Sequence, residues 1–433
     1  MTPEALPITI PTEIFDLPVH EIRRGYRSDV YFWRAKRTLE TSHRSNTATV
    51  QVFQKGEAVV CGIEEALAIL MLGIGHYRDS NLAFELFDRY IELKRRIRSL
   101  YRADPEQLRE ALDERKRIET ALDEEWVSEL DQISVSSLRD GDSIVPWETV
   151  LLIEGPLSEF IHLETLYLGV LARRTRISTN VAQVARAANT KPVFFFPARF
   201  DHWAVQGGDG YAASIGGAAS VSTDAQGEWW GMKGAGTIPH SLIAACDGST
   251  VEATRSFAET FPDTPLVALV DFDNDCVNTS LEVAHAMGDR LWGVRLDTSE
   301  SMVDVSLKDA TDLTNKTGVN PALVRNVRQA LDDAGFGRVQ IVASGGFDVE
   351  NRPSISGQRT TGATDVDNHL TRRSGQFSSR SEIRLSVVPD AHPPSQPALT
   401  QCLGESGRVS TVTDKRLWAG QSLRQLRQWV FGD

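Results

Sequence analysis

Polar residues suited to phosphate and metal chemistry follow four separate apolar segments in the second half of the sequence. They are Phe196-Pro-Ala-Arg199 with His202, then Asp271, Asp273 and Asp275, then Arg295 with Asp297, and finally Ser344-Gly345-Gly346. Arginine can grip a phosphate with two nitrogens, carboxylates hold Mg²⁺, and glycine lets backbone N–H groups approach phosphate oxygens. Any one of these groups alone is most often a turn or a local ion pair. Their repetition after successive segments predicts a site for a metal-bound pyrophosphate.

A histidine in a rigid turn is the candidate reactive group. His240 lies in Gly236-Thr237-Ile-Pro-His240-Ser, and the apolar residues that follow could begin a helix. Taken alone, such a histidine is more often a helix cap or a satisfied core residue. Beside a pyrophosphate site, an imidazole can instead carry a proton or accept a phosphoryl group. The residues alone leave these uses open.

The segments before these polar groups are apolar throughout, as strands covered on both faces tend to be. We predict strands at 192–196, 266–272, 291–296 and 339–343. Before the last of them, Asn320 and Pro321 begin a helix that ends at Gly335. Alternating strands and helices predict a parallel sheet, either closed as a barrel or open. In both arrangements ligands bind at the carboxyl ends of the strands, where the polar groups stand.

Three regions of the chain differ in amino-acid composition and in their pattern of apolar residues. Residues 1–150 mix short strands with helices and include a charged helical hairpin, which predicts an α+β domain. Residues 151–350 carry the strand–helix repeats and are the predicted catalytic domain. Residues 351–433 form an atypical tail rich in Ser, Arg and Pro and nearly free of lysine. Because the change is abrupt, we hypothesise an altered reading frame or another replacement of this tail, which sequencing of the gene would test.

The overall composition argues against several kinds of partner. The chain has 433 residues, 41% of them hydrophobic and 24% charged, as is ordinary for a soluble globular protein. A formal net charge of -13 disfavours nucleic acid and anionic membranes, because phosphate backbones require a basic face. The 4 cysteines are far apart in the sequence, and the N-terminus shows no export signal. We therefore predict a soluble cytoplasmic protein.

The ordered set of motifs resembles the nicotinate phosphoribosyltransferases. The resemblance rests on Gly-Thr237-Ile-Pro-His240, Asp271-Phe-Asp-Asn-Asp, Gly-Val-Arg295-Leu-Asp297 and Ala-Ser344-Gly-Gly, preceded in the expected order by Ser-Asp-Val-Tyr31, Leu-Arg-Asp-Gly-Asp-Ser, Ile-Glu-Gly-Pro156, Phe196-Pro-Ala-Arg199 and Gly216-Gly217. It covers residues from about 15 to 350. The combination is far more specific than any single motif.

This resemblance implies a fold, a reaction and a partner. The expected fold is an irregular α/β barrel of the type II phosphoribosyltransferase kind, built on a mixed α+β N-terminal domain. The expected enzyme is a homodimer with shared active sites. It would convert nicotinate, phosphoribosyl pyrophosphate and ATP, with Mg²⁺, into nicotinate mononucleotide, pyrophosphate, ADP and phosphate. That reaction brings salvaged nicotinic acid into NAD synthesis.

The resemblance also implies roles for individual residues. His240 would be phosphorylated by ATP, and Asp271 would orient its imidazole. Phe196 and, from the partner subunit, Tyr31 would sandwich the pyridine ring. Arg199 and Arg295 would hold the pyridine carboxylate and the sugar pyrophosphate, and Asp297 would contact the ribose hydroxyls or Mg²⁺. The backbone of Ser344-Gly345-Gly346 would bind a phosphate. Further expected substrate-binding residues are Gly216, Gly217 and Thr237. The segment after Gly217 contains no acid to accept from an amide, which mildly favours nicotinate over nicotinamide.

Alternatives to an active transferase come mainly from the tail. Residues 351–433 match no second glycine-rich phosphate loop, so we expect an unpaired sheet edge and half a phosphate site. The chain could therefore be an inactive relative that at most binds ligands. A related phosphosugar-binding barrel enzyme is a further alternative, although no lysine or glutamate stands out at a strand end. Product formation without ATP would indicate a quinolinate-type relative.

Overall fold

The computed structural model describes residues 10–44, 46–100, 104–189, 191–311 and 316–345, together with the backbone of three short strands within 364–411. The described residues form two compact units: the first comprises the residues up to Thr175 and the strand segments within 384–411, and the second runs from Arg176 to the strand at 364–366. The rest of the predicted tail lies outside the described residues. No helix in the described part of the chain is both long and apolar enough to cross a membrane.

In its described residues the first unit contains five α-helices of its own, seven consecutive strands, and the strand segments Arg384–Val387 and Val409–Thr411. The helices are α1 (Val19–Arg23), α2 (Val30–Thr41), α3 (Ile63–Gly73), α4 (Ser80–Leu100) and α5 (Pro105–Glu125). The strands are β1 (Thr47–Phe53), β2 (Ala58–Val59), β3 (Gly75–Tyr77), β4 (Trp126–Ser128), β5 (Ser134–Ser137), β6 (Ser143–Ile144) and β7 (Thr149–Pro156). Helix α6 (Glu164–Ala187) crosses the boundary between the units.

The core of the first unit lies between its main sheet and α3. Strands β1 and β5 each pair antiparallel with β7, and the segments Arg384–Val387 and Val409–Thr411 add a strand at either edge. Side chains alternate between buried and accessible along β1, so one face of this strand packs inward. Helix α3 is apolar on most sides and is correspondingly buried.

Helices α4 and α5 pack against each other through the apolar residues of two otherwise charged helices. Phe87, Leu93, Ile118 and Leu122 belong to one buried cluster. Helix α5 begins sharply because the carboxylate of Asp104 accepts hydrogen bonds from the next two free backbone N–H groups, and proline occupies the first helical position. The exposed faces carry ion pairs such as Arg89–Glu114, which contribute little to stability.

The second unit is an α/β layer around a parallel sheet. Its strands are β8 (Val193–Phe195), β9 (Ser220–Val221), β10 (Leu266–Leu269), β11 (Leu291–Leu296), β12 (Gln340–Ala343) and β13 (Thr364–Val366). Its helices are α7 (Gln206–Ile215), α8 (Asp224–Gly227), α9 (His240–Ala245), α10 (Thr250–Thr260), α11 (Cys276–Met287) and α12 (Pro321–Asp333). The strand order is β10-β11-β12-β13-β8-β9, and every pairing is parallel.

The predicted strands and the predicted helix of this unit are confirmed. Helix α12 begins as expected, since the Asn320 side chain accepts from two backbone N–H groups and Pro321 follows. Leu323, Val327 and Leu331 face the core, and the chain leaves the helix at Gly335 with a positive φ of 84°.

The prediction of an unpaired edge after β12 is wrong for the backbone that the structure describes. Strand β13 pairs with β12 on one side and with β8 on the other, so it occupies the position that the sequence appeared to leave open. Three residues of extended backbone are enough to pair with both neighbouring strands, because the hydrogen bonds between strands are made by backbone groups and do not depend on the identity of the side chains. We therefore find a continuous sheet through this position.

The sheet does not close into a barrel of paired strands within the described residues. Strands β9 and β10 are its two ends. The segment between them contacts both, because the Ala235 N–H donates to Val221 O at 2.7 Å and the Ile238 N–H donates to Val267 O at 3.4 Å. The structure thus confirms a mixed α/β fold, with an irregular segment between the terminal strands.

Arginines satisfy backbone carbonyls near the amino ends of the strands. Arg338 donates from Nη1 to Leu291 O at 2.9 Å and also contacts Gly288 O and the carboxylate of Asp289. Arg328 donates to Val339 O in the same manner. These contacts lie at the amino ends of the strands, opposite the edge of the predicted site, and they hold the strands in place.

Candidate phosphate-binding and catalytic site

A histidine–aspartate pair lies at the carboxyl end of β10. His240 begins α9 directly after Pro239, and its Nε2 lies 3.2 Å from Oδ2 of Asp271. The imidazole side chain is 47% exposed, whereas the Asp271 side chain is only 6% exposed. A buried carboxylate against one ring nitrogen fixes the orientation of the imidazole and places the proton on Nε2. The other nitrogen, Nδ1, has no hydrogen bond among the described residues.

The buried position of Asp271 perturbs its own ionisation. Burial raises the pKa of this carboxyl, the nearby imidazole of His240 opposes the rise, and the charge of Asp297 adds to it. Its second oxygen, Oδ1, is buried and accepts no hydrogen bond from the described residues. An incompletely satisfied buried carboxylate is costly for folding, and such groups concentrate at functional sites.

Arg295 stands beside this pair and is held by three other side chains. Its Nε donates to Ser344 Oγ at 2.9 Å and its Nη1 donates to Thr237 Oγ1 at 3.2 Å. Its Nη2 lies 3.3 Å from Oδ2 of Asp297. Thr237 is three residues before His240 in the same turn, so this turn connects the guanidinium with the imidazole. The side chains predicted from three strand ends and from the His240 turn therefore meet in one cluster.

Ser344 belongs to this cluster, but through its side chain. The residue is fully buried, and its hydroxyl accepts from Arg295. The hydroxyl proton has two acceptors, Leu296 O at 2.9 Å and Asp297 Oδ1 at 2.7 Å. Its backbone N–H already donates to Leu296 O. Ser344 therefore holds Arg295 and Asp297 in place, and the contact of the Ser344-Gly345-Gly346 backbone with a phosphate stays a prediction.

The next residue of this turn is the one available to a ligand. Gly345 has a φ of 131°, which side chains other than hydrogen rarely tolerate. A Cβ built there would meet nothing closer than 3.9 Å, so backbone conformation rather than crowding requires glycine. Gly346 lies outside the described residues.

The loop after β8 carries an aromatic ring and an exposed arginine. Phe196 stacks on Phe194 with ring centroids 5.7 Å apart, and its ring centre lies 6.0 Å from the guanidinium carbon of Arg295. This distance is at the outer limit of a cation–π contact. Arg199 follows in the same loop and is exposed to solvent.

Two of the predicted site residues, Gly216 and Gly217, do not lie at the carboxyl ends of the strands. Gly216 and Gly217 end α7 before β9, on the amino side of that strand. A Cβ on Gly216 would approach Ser178 O to 2.5 Å, and Gly217 has a φ of 96°, so helix ending and packing explain both glycines. Tyr31 lies in the first compact unit, where its side chain is 63% exposed.

Comparisons with known proteins agree with the motifs. No protein-family model matches the chain. It is 31% identical over 222 residues to a nicotinate phosphoribosyltransferase of Mycobacterium tuberculosis, covering 49% of this chain and 42% of that protein. It is 25% identical over 231 residues to the nicotinate phosphoribosyltransferase of Bacillus subtilis, covering 51% and 42%. The chain thus spans less than half the length of the curated relatives it matches.

Solved structures extend the likeness to most of the chain. The structure of nicotinate-nucleotide pyrophosphorylase from Pyrococcus furiosus matches with a TM-score of 0.60 and 26% identity, over 85% of this chain and 76% of that one. The chain is thus similar in sequence and fold to type II phosphoribosyltransferases. The human nicotinic acid phosphoribosyltransferase shares the fold of this chain, with a TM-score of 0.54 and 17% identity over 78% and 72% of the two chains.

Sequence reasoning missed two side chains behind the site, the buried Asp304 and the partly buried Asn274. Asp304 has no solvent exposure and accepts from the backbone N–H of Cys276 at 2.9 Å. Asn274 has a positive φ of 56° and donates from Nδ2 to Val303 O at 2.6 Å. The pattern Asp304-Val-Ser306 is a capping signature that could have indicated the first of them.

Proposed function

We propose that this phosphoribosyltransferase joins nicotinate to the ribose of phosphoribosyl pyrophosphate, and that ATP drives the reaction through a phosphohistidine at His240. The products are nicotinate mononucleotide, pyrophosphate, ADP and phosphate, so the enzyme would serve NAD salvage in the cytoplasm. The observation that carries the proposal is the 3.2 Å contact between His240 and Asp271 beside the Arg295 cluster. The names of the matched relatives support the same reaction.

His240 has the geometry of a phosphoryl acceptor. Its Nε2 faces Asp271 and the side chain is about half exposed, so the lone pair of Nδ1 is the nucleophile. Attack of Nδ1 on the terminal phosphorus of ATP forms the N–P bond and breaks the P–O bond to ADP. The positive charge that develops on the imidazole is stabilised by Asp271. Water later cleaves the N–P bond and releases phosphate.

The Arg295 cluster suits the transfer of the ribosyl group. Displacement of pyrophosphate from C1 of the ribose passes through a sugar with cation-like character. The Arg295 guanidinium can stabilise the leaving phosphates, and a fixed electrostatic donor of this kind contributes roughly 3–4 kcal/mol. Asp297, held by Arg295 and Ser344, would face the ribose hydroxyls or the metal. The loop with Phe196 and Arg199 would receive the pyridine ring and its carboxylate.

The carboxylates fit a Mg²⁺ ion that arrives with its substrate. The described residues contain no group of three or more His, Cys, Asp or Glu side chains placed around a metal. Asp271, with its unpartnered Oδ1, and Asp297 would supply the protein's share of the ligands. Mg²⁺ is commonly held by one or two carboxylates, water and substrate phosphates, and here it would neutralise the leaving pyrophosphate.

The complete site would need a second subunit. Tyr31 is exposed, and we propose that it closes over the pyridine ring from the partner in a homodimer. A ring held between two aromatic faces would gain on the order of 1 kcal/mol beyond its area burial.

A second candidate is an enzyme that needs no ATP. The structure from Pyrococcus furiosus, a nicotinate-nucleotide pyrophosphorylase, matches more of this chain than the human transferase does. In that case the chain would act on a pyridine dicarboxylate such as quinolinate. His240 would then bind ligand or carry a proton and would not be phosphorylated.

One assay separates these candidates from an inactive relative. Labelled nicotinate or quinolinate is incubated with phosphoribosyl pyrophosphate and Mg²⁺, with and without ATP, and the mononucleotide is measured. We expect product from nicotinate, stimulation by ATP, and loss of both product and phosphoprotein in His240→Ala. His285→Gln, a substitution of a histidine on α11, is the matched control and should retain activity.

Two outcomes would contradict the proposed reaction. Product from quinolinate without ATP favours the second candidate. No product from either acid under any of these conditions favours a relative that at most binds ligands.

A further inference from the structure

Two loops supply the two carboxylates of the site, and the structure ties these loops together. Asp271 lies in the loop between β10 and α11, and Asp297 begins the loop after β11. Asn274 of the first loop makes two hydrogen bonds to the second. Its Nδ2 donates to Val303 O at 2.6 Å, and its backbone carbonyl accepts from the Val305 N–H at 2.9 Å.

Asp304 completes this connection from the other side. One carboxylate oxygen accepts from the Cys276 N–H, the first residue of α11, at 2.9 Å. The other oxygen accepts from the backbone N–H of Ser306 at 2.9 Å and from its hydroxyl at 2.7 Å. A carboxylate without solvent exposure is tolerated here because the start of a twelve-residue helix favours negative charge. Hydrogen bonds to a charged group are among the stronger ones in proteins.

A contact close to Asp297 reinforces the arrangement. Thr298, the next residue, places its hydroxyl 3.6 Å from the thiol of Cys276. Both side chains are buried. The loops are therefore joined immediately behind the carboxylates as well as farther along, at Asn274 and Asp304.

The local conformation of Asn274 depends on its residue type. Its φ of 56° lies in the left-handed region, which asparagine tolerates better than most other residues. This conformation lets one residue present both its side-chain amide and its carbonyl to the neighbouring loop. Few residue types other than asparagine could do so without strain.

We infer that Asn274 and Asp304 are positioning residues that fix the spacing of Asp271 and Asp297, and through Asp271 the orientation of His240. The kinetic role of these two residues rests on the proposed function, whereas the hydrogen bonds between the loops do not depend on it. A misplacement of about 1 Å can cost on the order of 100-fold in rate. Loosening this connection should therefore affect turnover more than substrate binding.

The sharpest test is Asn274→Gly. Glycine keeps the positive φ and removes only the hydrogen bond from Nδ2 to Val303, so the fold should persist. We expect kcat to fall about 10- to 100-fold, with less than about 3-fold change in KM for nicotinate. Asp304→Asn, which keeps one acceptor oxygen, should act in the same direction. Arg338→Ala loses carbonyl contacts at the amino end of β11 and is the matched control, with kcat within about 2-fold of the parent.

A second readout is independent of activity. The ¹⁵N chemical shifts of the His240 ring, assigned with His240→Gln, report which nitrogen carries the proton. The parent protein and Arg338→Ala should show the Nε2–H tautomer, and Asn274→Gly should show a mixture. An unchanged tautomer in Asn274→Gly overturns the inference, whatever the activity. A mixed tautomer in Asn274→Gly, beside a parent that forms no product, upholds the positioning role and refutes the proposed reaction alone.

Discussion

Glu164 should destabilise the first compact unit at neutral and alkaline pH. The residue begins α6, is 8% exposed, and has Asp29 as a neighbouring charge. A helix N-terminus normally favours a carboxylate. Here burial outweighs that effect and, with help from Asp29, raises the pKa of Glu164 from 4.5 to about 7. The folded unit thus holds a proton that the unfolded chain has already lost between these two values.

The sign and the size of the effect follow from this difference. Stability from protonated Glu164 is fully present below pH 4.5 and is lost as the pH rises through about 7. The difference between a pKa of 4.5 and one of about 7 corresponds to at most about 3 kcal/mol, since a tenfold change in an equilibrium constant is about 1.4 kcal/mol. Glu164→Gln removes the titration. We expect the variant to exceed the parent in stability by about 2–3 kcal/mol at pH 8.5 and by far less at pH 5.

Urea unfolding at pH 5 and pH 8.5 measures this difference. Glu252→Gln is the matched control, because Glu252 also lies in the first turn of a helix but is exposed there, and its substitution should change stability by less than about 0.5 kcal/mol at either pH. An equal gain for Glu164→Gln at both pH values would refute charge burial as the cause. A loss of stability at pH 8.5 would refute it as well.

Two further predictions concern the site. Asp271→Asn should lower kcat by about 10²- to 10⁴-fold, since the amide cannot stabilise a charged imidazole, and product assays measure this loss. The same variant should be as stable as the parent at pH 7 or more stable, because burial raises the pKa of the native carboxyl. Thermal unfolding measures that difference. Ser344→Ala leaves Arg295 Nε without its acceptor, so KM for phosphoribosyl pyrophosphate should rise about 10-fold while KM for nicotinate changes less, as steady-state kinetics would show. Equal increases in both KM values would contradict this role of Ser344.

The parts of the fold that local sequence determines were predictable. The strands at 266–272 and 291–296 appear in the structure within a few residues of their predicted bounds, because continuous apolar runs need cover on both faces. Helix α12 was equally clear, since Asn320 and Pro321 are local start signals. That Asp271, Arg295 and Asp297 share one edge followed from the parallel sheet itself, whereas the place of His240 followed only from the resemblance.

Pairing between distant segments was not predictable. Strand β13 is three residues from a segment without apolar periodicity, and its place depends on the edges that β12 and β8 offer. The same limit applies to side chains whose role is set by tertiary neighbours. Ser344 looked like part of a phosphate turn, but Leu296 occupies its N–H. The contact of Asp304 with the start of α11 is of the same kind, because the local capping pattern does not indicate which helix lies beside it.

Residues 235–240, between β9 and β10, contribute both to the sheet and to the site. Their amides at Ala235 and Ile238 bridge the terminal strands, and their side chains at Thr237 and His240 reach the site. Ile238 lies between Thr237 and His240 in the sequence and is fully buried in the core of the second unit. Its burial therefore holds the backbone that carries these two side chains. If the hydrogen bonds of this segment to the terminal strands broke, His240 would move away from Asp271 and Arg295 would lose its contact with Thr237 at the same time. The proposed reaction would therefore require that this side of the sheet stays intact.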